Sequence, residues 1–318
     1  MDLFSRTVFV SGPPRSGTTF AARALNTHPA IFNYIDDHVH ECWDLYYYRT
    51  RVGLIQDIRM GRTVKEEART RLASHIFQGG RLHGVAPSAK TENSPPTPPP
   101  RRPGQPINEA DQKLLRHSVA MEDLPDDWRL CLKSPEISFV LPEIAALFPK
   151  AVFVLVYRPV VEIAESMHRK GLTVKKVAVY QRRWHEEKRS DGTLQPPPGI
   201  PEAWQPLWNH VSDFKRCAIY AASYMKSLGE GLAKIDASRF FIYNHADFRR
   251  QPEKIIHMIA EFLKLPAAGF DGIGGLLDAD APEIPAGLEA EMSELEKELR
   301  IKDLETAIAG YGSHLTRT

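Results

Sequence analysis

The sequence predicts an α/β protein with a central, mostly parallel sheet flanked by helices. Three stretches predict it. Residues 7–10 read as a β-branched strand that runs into a tight glycine-bearing loop, 12–19, and then a helix over about 19–26. Residues 152–157 are wholly apolar, as expected of a strand covered on both faces in the middle of a parallel sheet, and a helical pattern over 161–169 follows. A third strand, 239–243, leads into a helix over about 252–263 with Pro252 in its first turn. Strand followed by helix, repeated, is the pattern of a parallel sheet.

The chain has 318 residues, 42% of them hydrophobic and 25% charged, which supports one sizeable core and a single domain over 1–318. The formal net charge of +1 offers no field suited to a nucleic-acid partner. Cys42, Cys131 and Cys217 are far apart, lack metal-ligand spacing and read as reduced thiols. The first strand near Thr7 leaves no room for a signal peptide, and no apolar run is long enough to span a membrane. A cytoplasmic protein is expected.

The first strand, loop and helix together outline an anion site. The first turn of a helix carries N–H groups without intrahelical partners, and the helix dipole adds positive potential there. Arg15, Ser16, Thr18 and Thr19 add side-chain donors suited to phosphate or sulfate oxygens. The spacing Gly12-x-x-x-x-Gly17 matches a nucleotide triphosphate loop, but that motif has Lys directly after the second Gly, and Thr18 stands there. A P-loop kinase of a small metabolite, using ATP and Mg, is therefore the weaker alternative.

Behind this loop, Asp36, Asp37, His38, His40 and Glu41 crowd together. Ligands of open α/β sheets sit beyond the carboxyl ends of the strands, so these acids and histidines are candidate proton acceptors. His38 and His40 have no clear third ligand, and no metal site is expected. Residues 55–78 read as an amphipathic helix, at least from Val64 onward. Residues 94–106 are dominated by proline, which excludes a central strand or helix and predicts a surface loop. Residues 108–124 return to helix-like composition.

A short strand over 129–133 ends at Lys133-Ser134-Pro135-Glu136, and 139–148 looks helical. After the apolar strand, Arg158 stands at the carboxyl end and Ser166 lies two turns into the next helix. Two strand ends thus present Arg near a helix start, which implies a ligand with two separate phosphate-like groups. Residues 174–187 are basic and aromatic, and a longer helix is expected over about 204–229. The tail predicts a helical appendage over about 286–310 with Leu288, Met292, Leu295, Leu299 and Leu304 on one stripe. Such a stripe suits covering a sheet edge, closing as a lid or pairing in a homodimer.

Taken together, these motifs resemble the sulfotransferases that use 3′-phosphoadenosine 5′-phosphosulfate (PAPS). The stretch Pro14-Arg15-Ser16-Gly17-Thr18-Thr19 is similar to the family's 5′-phosphosulfate loop. Arg158, followed eight residues later by Ser166, is similar to its 3′-phosphate motif, although Pro159 replaces the usual acid after the Arg. The segment 243–265 is similar to the family's late strand and helix. The resemblance implies a P-loop-like sulfotransferase fold, PAPS as sulfuryl donor, no required metal, and donor binding by Arg15, Ser16, Gly17, Thr18, Thr19, Arg158 and Ser166. It implies Lys133 as a second cation near the leaving group. For the general base it points to Asp37 or Asp36, which follow the pair His28-Pro29. His40 and Glu41 are close rivals, and Glu136 is a further candidate, after the strand lysine. The implied reaction is in-line transfer to a hydroxyl, less readily an amine. The aromatic residues suit a small molecule or natural-product intermediate as acceptor.

Overall fold

A computed structural model describes residues 3–34, 77–78, 81–84, 117–120, 124–171, 196–197, 199–270 and 284–313. Five strands form the central sheet: β1 (Thr7–Ser11), β2 (Ile31–Tyr34), β6 (Arg129–Lys133), β7 (Val152–Tyr157) and β8 (Phe240–Asn244). Their order is β2-β6-β1-β7-β8, and every pairing is parallel. A separate antiparallel sheet joins β3 (Phe77–Gln78), β4 (Arg81–Gly84) and β5 (His117–Ala120).

The sheet is covered on both faces, so its strands need apolar residues at every position. Phe9, Phe153 and Leu155 point to one face, while Val8, Val10, Val154 and Val156 point to the other. The first face packs α2 (Leu141–Leu147), α3 (Val160–Arg169), α4 (Asp213–Leu232) and the C-terminal helices α7 (Ala286–Leu299) and α8 (Ile301–Ser313). The second face packs α1 (Thr18–Leu25) and α6 (Pro252–Leu263). A six-residue helix, α5 (His245–Arg250), directly follows β8.

Several boundaries differ from the sequence reading. Residues 108–124, expected to be helical, contain β5. The helix expected over about 204–229 is two elements, a 3₁₀ segment (Glu202–Asn209) that tolerates Pro206 and then α4. The second starts afresh because the Ser212 hydroxyl caps it, accepting the Lys215 N–H at 3.2 Å. The tail is likewise two helices, broken at Arg300, whose φ of 52° is left-handed. Arg239 precedes β8 instead of opening it, and its guanidinium donates to the carbonyls of Ala145, Phe148 and Ala151. That contact ties β8 to the end of α2, a use of arginine that strand propensity does not register. Residues 94–106, most of 55–78 and the segment 174–187 lie outside the described residues.

The strand order puts the site at a reversal. From β1 the chain runs outward to β2 and returns through β6. It then crosses β1 to β7 and continues to β8. The loops after β1 and β7 therefore leave neighbouring strand ends in opposite directions, the switch point at which open α/β sheets commonly bind ligands.

Candidate active site

The loop after β1 is shaped by close backbone approach. Gly12 has φ 143°, and a Cβ there would lie 1.9 Å from the Val156 carbonyl oxygen of β7. The Ser16 hydroxyl donates to that same oxygen at 3.1 Å. Ser16 is thus buried, its side chain holds the loop on β7, and its N–H closes the turn on the Pro13 carbonyl at 3.1 Å, so the side-chain donor expected of it toward a ligand is spent on the fold. Ser11 fastens the other side: its hydroxyl donates to the Ser134 carbonyl at 2.9 Å and lies 3.1 Å from the Ser138 hydroxyl. Arg15 adopts φ 67°, a left-handed conformation that costs a non-glycine residue about 1 kcal/mol and is kept only where the surroundings enforce it. Gly17, at φ 104°, precedes α1 and supplies no side-chain cap, so the helix start is left to other acceptors. Thr18 is buried at this turn and Thr19 is exposed.

The loop after β7 meets it. Arg15 Nε donates to the Ser166 hydroxyl at 3.1 Å. Buried Arg158 donates from Nε to Glu162 Oε2 at 2.5 Å, and from Nη1 to the Arg15 carbonyl at 3.5 Å. The stretches read separately as two anion clamps are therefore contiguous. At the third strand end, Lys133 is 7% exposed and lies in register with Val10 of β1. Next to it the Ser134 hydroxyl donates to Glu136 Oε2 at 2.7 Å, which fixes that carboxylate beside the end of β6. Asp36, Asp37, His40 and Glu41 lie outside the described residues. They follow in sequence on Tyr34, which ends β2, the neighbour of β6. His28, of the His-Pro pair, is a fold residue: it is buried, its Nδ1 accepts the Ala30 N–H at 3.1 Å and its Nε2 lies 3.0 Å from the Pro266 carbonyl.

Three residues that sequence reasoning passed over join this cluster. His245 of α5 packs its ring against Gly17, where an added Cβ would come 2.7 Å from Nδ1. Burial, then Arg158 and Arg249, lower its pKa to about 4, which keeps the ring neutral at pH 7. Arg249, also on α5, places Nη2 4.0 Å from Glu162. Glu305 of α8 accepts the Val160 N–H at 2.7 Å, at the start of α3. Burial raises its carboxyl above the usual range, while the Val160 bond acts the other way. It caps a helix that Pro159 cannot cap. The spacing of four between His245 and Arg249 was a usable signal that both share one helix face. Nothing local to Val160 announces Glu305.

This is an α/β protein in which Arg15, Arg158 and Ser166 meet at the carboxyl ends of neighbouring parallel strands, with Lys133 at the end of the strand on the other side of β1. The chain belongs to the sulfotransferase family, whose profile matches residues 7–190, more than half of its length. No curated protein matches it significantly. Solved structures similar to it include a sulfotransferase from Alicyclobacillus acidocaldarius, 12% identical, with a TM-score of 0.47 over 98% of this chain and 96% of that one. The sulfotransferase domain from the curacin biosynthetic pathway is 13% identical, with a TM-score of 0.46 over 91% and 97%. A sulfotransferase domain from the Synechococcus PCC 7002 olefin synthase is 15% identical, with a TM-score of 0.43 over 88% and 79%. Among the described residues no helix is long and apolar enough to cross a membrane, and no group of three or more His, Cys, Asp or Glu could hold a metal ion.

Proposed function

We propose that this sulfotransferase moves a sulfuryl group from PAPS to a hydroxyl, less readily an amine, of a small-molecule acceptor such as a natural-product intermediate. The observation that carries the reading is the single cluster of Arg15, Ser166 and Arg158, with Arg15 Nε on the Ser166 hydroxyl at 3.1 Å and Arg158 Nη1 on the Arg15 carbonyl at 3.5 Å. A donor with a phosphosulfate at one end and a 3′-phosphate nearby fits two adjoining strand ends. The uncapped start of α1 suits the phosphosulfate, and Arg158 with Ser166 suits the 3′-phosphate. When bound, the donor supplies an activated sulfuryl group on a phosphate leaving group.

In this reading the loop amides, Arg15, Thr18 and Thr19 hold and neutralise the phosphosulfate. Lys133 stabilises charge on the departing oxygen. These protein cations meet the charge, so no divalent metal is assigned. A side-chain base orients the acceptor in line and takes its proton. Asp37 or Asp36 leads for that role, then His40, then Glu136. A neutral histidine is chemically the easiest base near pH 7, whereas an aspartate needs a raised pKa or acts mainly by orienting.

Equilibrium titration with PAPS, 3′,5′-bisphosphoadenosine and ATP, with and without Mg²⁺, tests the donor. The two 3′-phosphorylated ligands bind tighter than ATP. Tighter, Mg²⁺-dependent ATP binding sinks the reading and restores the kinase alternative. The base is then picked by Asp36→Asn, Asp37→Asn, His40→Asn and Glu136→Gln. The true base lowers turnover and leaves donor affinity in place.

A further inference from the structure

Ser134 follows β6 beside the loop after β1, and each of its polar groups has a different task. Its N–H donates to the Val10 carbonyl at 3.1 Å, and its carbonyl accepts the Ser11 hydroxyl at 2.9 Å. Two bonds thus tie it to β1. Ser134 also stands at the head of a 3₁₀ turn (Pro135–Phe139), where a serine hydroxyl ordinarily accepts a backbone N–H and caps the turn. Here the hydroxyl makes no such bond and donates to Glu136 Oε2 at 2.7 Å.

The hydroxyl is therefore diverted from the backbone to a carboxylate. Ser134 is fully buried, so water does not compete for it, whereas Glu136 is half-buried. Among the described residues no second donor reaches the carboxylate, which leaves Oε1 to accept from a ligand. A free glutamate rotates about three side-chain bonds, and holding one oxygen removes much of that freedom before a ligand arrives. Through Ser134 the carboxylate is registered on β1, the strand that runs into the Gly12 and Arg15 loop. A negative group fixed there repels the phosphates of a donor. It suits the other reactant, whose hydroxyl or amine donates hydrogen bonds.

We infer that Ser134 is a positioning residue for the acceptor: it holds Glu136 so that the carboxylate accepts a hydrogen bond from the acceptor. The inference rests on the sulfuryl-transfer reading above. It holds whether the reacting proton goes to Glu136 or to one of Asp36, Asp37 and His40, because the bond fixes only where the carboxylate sits.

The test is a double-mutant cycle on the full chain, with PAPS as donor and para-nitrophenol and n-octanol as acceptor probes. Ser134→Ala and Glu136→Ala each lower kcat/KM for the acceptor by about tenfold, as expected for a lost hydrogen bond to a charged group. The double variant is no slower than Glu136→Ala alone, because Ser134 acts through Glu136. Ser134→Thr keeps the hydroxyl and recovers most of the loss. Affinity for 3′,5′-bisphosphoadenosine, measured by calorimetry, stays within about twofold throughout. Melting temperatures separate these effects from folding. Losses that multiply in the double variant overturn the inference, as does an unchanged kcat/KM in folded Ser134→Ala. A bisphosphate affinity that falls as far as kcat/KM overturns it too. A wild-type protein that consumes PAPS with neither probe overturns the transfer reading itself, and this inference with it.

Discussion

The loops after β1 and β7 serve one site by different means. After β1 the backbone does the shaping. Gly12 exists to let the chain pass the Val156 carbonyl, and Gly17 leaves room for a ring and an open helix start. After β7 side chains do it, and they come from far along the chain. Arg158 is braced by Glu162, Arg249 approaches from α5, and Glu305 reaches in from α8 to cap α3. A site made of backbone tolerates almost no substitution at its glycines. A site made of side chains loses function in steps, one contact at a time.

The sharpest way to break that contrast is Gly12→Ala. A Cβ 1.9 Å from a carbonyl oxygen, at φ 143°, meets backbone that cannot swing aside. We expect about 4 kcal/mol or more of lost stability, from strain and overpacking combined, and no donor binding. A Gly12→Ala protein with the wild-type melting temperature would refute the backbone account of the first loop.

The next effect concerns His245, where the two halves touch. Its folded pKa is depressed from 6.5 to about 4, so between those values the unfolded chain binds a proton that the folded chain refuses. The stability from this group is complete above pH 6.5 and is lost as pH falls toward 4, by on the order of 3 kcal/mol. Denaturation midpoints across that window should fall more steeply for wild type than for His245→Asn. Parallel curves would mean the ring is not held neutral by its neighbours.

Arg158→Ala removes one partner of a buried pair and the main cation of the second loop. Donor affinity should drop by about 30-fold, on the order of 2 kcal/mol, and the Arg15 carbonyl of the first loop loses its Nη1 donor as well. Unchanged affinity by titration would remove Arg158 from the site. Smallest is Glu305→Ala, which uncaps α3 and should cost about 1 kcal/mol by thermal melting. Glu305→Gln retains the acceptor and should recover most of it. Equal losses for both would point to charge in place of the cap.

The legibility of these parts followed their locality. The parallel sheet was readable because strands buried on both faces must be apolar throughout, and residues 152–157 are. Glycines at 12 and 17 marked the first loop by their spacing alone, although what they make room for, the Val156 carbonyl and the His245 ring, lies far along the chain. The start of α4 was misplaced because a single serine cap outweighed a run of helix-compatible residues. Arg239 was misassigned because its guanidinium answers carbonyls of α2, which sequence spacing does not reveal. His245 and Arg249 carried a helical spacing of four, but nothing in the sequence said which way that face would turn.

By itself, then, the sequence determined the strand, loop and helix units and the chemistry each could offer, because those depend on backbone preferences within a dozen residues. Which units meet was decided only by the tertiary structure. The sheet order brings Arg15 to Ser166 across 151 residues and Glu305 to Val160 across 145, and α5 turns Arg249 onto Glu162. Such contacts depend on how whole elements pack, and no local pattern encodes a partner that lies half a chain away.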